Sequence, residues 1–131
     1  MDFILTEEAV AYISAILDNN LLEAGASCAL LVDRSGNLIA NRGDPSGLDV
    51  VALAALSAAN YGVTEEIARL VGEDNFSLLF HKGKNENVHY SKVGEDFFLI
   101  TIFNKDTSLG LMRLKTAKVA RDLMPIFRGG A

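Results

Sequence analysis

The chain has 131 residues, 50% of them hydrophobic and 22% charged, with a net charge of -5. This is the composition of a folded chain long enough to bury one core, and it excludes an intrinsically disordered one. The acidic balance, with no clustered Lys and Arg, argues against binding to nucleic acid or to anionic lipid surfaces.

Thr6 followed by Glu7 and Glu8 predicts a helix start, because a hydroxyl caps a free amide and carboxylates suit the positive helix end. The first helix is expected to run to about Asn19, burying Ala9, Val10, Ile13, Ile16 and Leu17 at three- and four-residue spacing. Two β-rich runs follow, over 27–33 and 37–42, around the turn DRSGN, where Asp33, Ser35, Gly36 and Asn37 supply hairpin chemistry. The lone cysteine, Cys28, sits in the run SCALLV, which excludes an internal disulfide and predicts a buried, inert thiol. NRGD, Asn41 to Asp44, reads as a loop leading past Pro45 and Gly47 into the next helix rather than as an adhesion motif.

A long helix is predicted from Leu48 to Val71, ended by Gly72 in a left-handed conformation. FSLLFHK, NVHYSKV and DFFLITIFN, separated by GKNEN and GED, then read as a three-strand meander. The last of these strands is apolar on both sides, as expected where a sheet is covered on both faces. SLGLMRLKTAKVARDLMPIF closes the chain as a helix with Leu109, Met112, Thr116, Val119, Leu123 and Phe127 inward, its end frayed by Pro125. The order is αββαβββα. It predicts an α+β (α/β) domain over 1–131, with its core at 5–127 and a short tail at 128–131: one five-stranded, mainly antiparallel sheet, the long helix on one face and two helices on the other.

The long helix is apolar nearly all round. At ~100° per residue, Leu48, Ala52, Leu56, Ala59, Val63, Ile67 and Leu70 form one stripe, expected to pack on the helix's own sheet. Val50, Ala54, Ser57, Ala58 and Tyr61 lie opposite, with Val51 and Leu53 on the shoulders. A small, apolar second face on a chain of this size reads as an interface between two copies, so Val50, Val51, Ala54, Ser57, Ala58 and Tyr61 are the expected homodimer contacts.

The LLVDRSGNLIA hairpin, the small-residue central helix ending near RLVGEDNFSLLF, and SLGLMRLK opening the last helix occur in an order and at a spacing that resemble the roadblock/dynein light chain family. The resemblance covers about residues 5 to 127 and is strongest to the prokaryotic branch that partners a Ras-like gliding-motility GTPase. It implies a homodimer with one continuous sheet and its two central helices paired on one face. It also implies a small GTPase partner. Paired central helices would leave their shoulders and N-terminal ends exposed, which makes Asp49, Val50, Leu53, Ser57, Asn60 and Tyr61 the candidate GTPase contacts.

No catalytic set, cofactor site or metal site is legible. GKNEN lacks the Ser or Thr and the helix of a phosphate loop, so intrinsic nucleotide binding is not expected. His81 and His89, on neighbouring strands, lack a third ligand. Arg34, Arg42, Arg69, Arg113 and Arg121 read as surface residues, none placed as an arginine finger. The acidic first residues lack the basic start of a signal peptide, and the opening apolar run is too short to span a bilayer, so a cytoplasmic chain without membrane insertion is expected. The leading functional expectation is a non-enzymatic dimer that modulates the GTP hydrolysis of a Ras-like partner. A scaffold that leaves turnover unchanged is the alternative, and small-ligand sensing finds no polar cluster in the sequence to support it.

Overall fold

The computed structural model describes residues 5–44, 47–76 and 78–129. Helix α1 spans Glu7–Leu17, with the Thr6 hydroxyl accepting a hydrogen bond from the Ala9 amide at 3.0 Å. It buries Ile13, Ile16 and Leu17, then continues as a turn of π-helix over Asp18–Leu22 that seats Leu21 in the core. The expected end near Asn19 therefore falls inside this wider turn. Arg42 donates to both carboxylate oxygens of Asp18, at 3.0 and 2.8 Å, tying the turn to the second strand. That guanidinium holds the Asp18 carboxyl below its usual range.

Strands β1 (Ala26–Asp33) and β2 (Leu38–Gly43) form the predicted hairpin. One Asp33 carboxylate oxygen accepts from the Ser35 and Asn37 amides, both at 2.9 Å, and Gly36 takes the positive φ of +92° that the turn requires. The NRGD reading is corrected here: Asn41–Gly43 belong to β2, hydrogen-bonded alongside β1, while Pro45 lies outside the described residues. Helix α2 runs over Val50–Leu70, capped by the Asp49 carboxylate on the Ala52 amide at 3.0 Å and followed by Gly72 at φ +88°. Strands β3 (Leu79–Lys82), β4 (Glu86–Val93) and β5 (Phe97–Asn104) make the meander. Helix α3 spans Leu109–Gly129 and carries Pro125 within it, so the helix passes the proline rather than ending there. Its inner face is the predicted one: Met112, Thr116, Val119 and Leu123 are buried, and the partly buried Phe127 stacks on Phe97 at 4.1 Å.

All strand pairs are antiparallel, in the order β2-β1-β5-β4-β3. Side-chain alternation along the central strands divides the core into two layers. Phe97, Leu99 and Phe103 of β5 join Ala29 and Leu31 of β1 beneath α1 and α3. Phe98, Ile100 and Ile102 join Cys28, Leu30 and Val32 beneath α2. The expected αββαβββα architecture, with the long helix alone on one face, is the observed one.

Candidate functional site

Two apolar faces on one helix compete for the same sheet, and side-chain size decides between them. The sheet surface under α2 already carries bulky rings. Tyr61 stacks on Phe98 with ring centroids 5.0 Å apart and planes 3° from parallel, and Tyr90 tilts against the same Phe98. A helix lying close over such a surface needs small residues between its aromatic contacts. Ala54, Ser57, Ala58 and Ala68 meet that need: they are the buried residues of α2 together with Tyr61. The Ser57 hydroxyl lies 3.3 Å from the Tyr90 hydroxyl, so a polar side chain on this face finds a partner inside the chain.

This corrects the sequence assignment of the two faces. Ala54, Ser57, Ala58 and Tyr61, expected between protomers, are covered by the chain's own sheet, and Val50 and Leu53 pack partly against the same core. The stripe expected to face the sheet points away from it: Leu56 is 71% exposed, Val63 59%, Ile67 47% and Leu70 79%. Leu48 and Val51 extend it at the N-terminal end, with Ala52 and Ala59 between. Of the residues expected at a dimer contact, only Val51 is fully exposed. Periodicity separated the two faces but carried no sign. The signal that does carry it is the contrast in size, with alanines on one face and leucine, valine and isoleucine on the other.

The candidate GTPase contacts divide in the same way. Asp49 is exposed while its carboxylate caps α2, and Val50, Leu53 and Asn60 are half-buried. Asn60 donates to the His81 ring at 3.3 Å, fixing the flank of α2 to β3. Ser57 and Tyr61 are buried, and burial pushes the Tyr61 hydroxyl pKa up. Leu48 and Leu53 also line an apolar cleft of about 410 Å³ with Val88 and Ile102, between the start of α2 and the sheet.

Three of the five arginines singled out are held in ion pairs: Arg34 with Glu65, Arg42 with Asp18 and Arg69 with Glu66. Arg34 also donates to the Glu95 carbonyl at 3.1 Å, so it ties the first hairpin both to α2, through Glu65, and to the turn between β4 and β5. Arg113 and Arg121 stand on α3, across the sheet from the exposed stripe. His81 and His89 do not converge. His81 meets Tyr90 edge-on, whereas His89 is buried opposite Thr101 on the face that α3 covers. Among the described residues no group of three or more His, Cys, Asp or Glu could hold a metal ion, and no helix is long and apolar enough to cross a membrane.

Residues 13–103 match the Roadblock/LC7 domain. No curated protein sequence matches the chain. Among solved structures, MglB of Myxococcus xanthus is 34% identical, with 98% of this chain and 97% of that one covered at a TM-score of 0.90. The gliding protein MglB of Thermus thermophilus is 28% identical, with 95% of each chain covered and a TM-score of 0.87. An MglB described as having a tetrameric arrangement is also 28% identical, with 99% and 98% covered and a TM-score of 0.91. A family match over most of the chain and a one-third-identical relative that shares its whole length agree with the sheet order and helix placement: the chain belongs to the Roadblock/LC7 domain family.

Proposed function

We propose that the chain acts as a homodimer that binds a Ras-like small GTPase and modulates its GTP hydrolysis cycle, without a catalytic site of its own. The observation that carries this reading is the exposed aliphatic stripe along the outer face of α2. Leu56, Val63, Ile67 and Leu70 leave a helix-long apolar strip in water, and such strips on folded chains mark protein interfaces. A second copy offers the same strip, so two α2 helices can pair about a two-fold axis. Similarity to MglB chains over nearly the whole length, one of them in a tetrameric arrangement, supports self-association.

The GTPase partner rests on the resemblance to the prokaryotic roadblock branch. Its proposed contact is the N-terminal end of α2, where Asp49, Val50 and Leu53 stand beside the stripe, with Asn60 on the flank. The pairing of Arg34, Arg42 and Arg69 with carboxylates favours stimulation by holding the GTPase switch loops rather than by inserting an arginine. A cytoplasmic site of action goes with such a partner.

Two measurements test the proposal. Sedimentation of the wild type should give a dimer at micromolar concentration, and Leu56→Glu with Val63→Glu should give a folded monomer. A wild-type monomer would refute the pairing. GTP turnover by a gliding-motility Ras-like GTPase should rise on adding the wild type. If that GTPase binds with turnover unchanged, the chain is a scaffold instead.

A further inference from the structure

A second cleft lies toward the C-terminal end of α2. Its volume is about 460 Å³, within the range of metabolite sites, and it opens where β3 stops short against β4. One wall is the C-terminal half of α2 and the loop after it, with Tyr61, Asn75 and Phe76. The other is the first half of α3, with Arg113 and Thr116, and the floor is β4, with His89, Tyr90 and Lys92.

Three features set this cleft apart. Asn87, His89 and Thr101 lie together on one sheet face under α3, and each has a buried polar atom with no hydrogen-bond partner among the described residues. An unmet buried polar group costs on the order of 1–3 kcal/mol, and of these three residues only His89 borders the cleft. Its Nδ1 is enclosed and partnerless, so no hydrogen bond holds the ring proton there and the ring can present Nε2–H to an occupant. Arg113 makes no ion pair among the described residues, yet lies near enough for its charge to hold down the His89 pKa. Lys92 supplies a second cation, shared with Glu95 at 3.4 Å, while Asp74 is the one carboxylate on the lining.

We propose that this cleft binds a small organic phosphate, gripped by the Arg113 guanidinium and the His89 ring, with its body against Tyr61, Phe76 and Tyr90. The guanidinium fork matches a phosphate face, Arg113 and Lys92 together match the two charges of a monoester, and the neutral His89 ring donates an N–H. The space far exceeds that of a bare oxyanion, and the aromatic wall calls for a planar or apolar body. None of the observations that carry this site rests on self-association or on a GTPase contact.

The chain has two histidines, so imidazole NMR yields two sets of signals, with the exposed His81 as internal reference. Titration with phenyl phosphate at pH 7 should shift the His89 resonances saturably by about 1 mM, the weak end of specific binding, and shift His81, which meets the site only through Tyr90, far less. Inorganic phosphate and benzoate should each bind at least tenfold more weakly. Arg113→Gln, at an exposed position, should weaken phenyl phosphate binding tenfold or more, and Arg121→Gln should leave it unchanged. The proposal is overturned if His89 does not respond, if His81 shifts as far as His89, if benzoate binds as well as phenyl phosphate, or if Arg113→Gln binds like the wild type.

Discussion

At Gly43 the last residue of β2 takes a φ of +102° while still paired with β1, and a Cβ there would run into the carbonyl of Ser27 on β1. The obstacle is backbone, which has no rotamer to yield. Gly43→Ala should therefore cost about 2 kcal/mol or more through combined strain and clash, measured by urea denaturation. His89 sets a second constraint. Burial, helped by the charge of Arg113, lowers its pKa from 6.5 to about 4. The unfolded chain therefore takes up a proton at a pH where the folded chain refuses it. Stability is fully present above about pH 6.5 and is lost as pH falls toward 4. Between pH 7 and pH 5 the loss should be roughly 1–2 kcal/mol, and His89→Gln should flatten that part of the profile.

Helix α2 shows how one element can be read correctly in extent and wrongly in orientation. The expected span of Leu48 to Val71 lies within two residues of the observed Val50–Leu70, and the Gly72 stop was legible because its chemistry is local, while the Asp49 cap was not singled out. Which face turns inward depends on Phe98 and Tyr90, some thirty residues away, whose rings occupy the space beneath it. Ala54→Arg, which the expected dimer contact at Ala54 would make a wedge between protomers, is instead a wedge between helix and sheet. It should unfold the chain, visible as loss of the cooperative thermal transition, whereas Leu56→Glu should melt like a folded protein. Ala54→Leu should cost about 1–3 kcal/mol from overpacking. Other elements show the same division. The DRSGN turn was legible because Asp33 bonds amides two and four residues on. The reach of α3 past Pro125 was not, because packing of Phe127 on Phe97 offsets a local penalty. The cleft at β4 was invisible for a similar reason: Arg113 and His89 are 24 positions apart and meet only through the fold.

For the molecule as a whole, element order and alternation along β1 and β5 were enough to lay out one sheet between two layers of helix. The all-round apolar character of α2 added that one face is left over, but which face that is depended on the rings of the sheet beneath it. The same two-layer arrangement gives the chain a built-in reporter. Cys28 is fully buried on β1, paired on one side with β2 and on the other with β5, and covered by the layer under α2. Desolvation also raises its thiol pKa, so the native protein presents neither access nor thiolate. A thiol reagent such as DTNB can reach it only when the middle of the sheet parts. Under conditions where reclosing outruns labelling, the opening free energy from the modification rate should equal the global unfolding free energy from urea. A smaller value would mean that α2 with its hairpin lifts off as a unit while α1 and α3 keep their grip, turning one unreactive sulfur into a clock for how this fold comes apart.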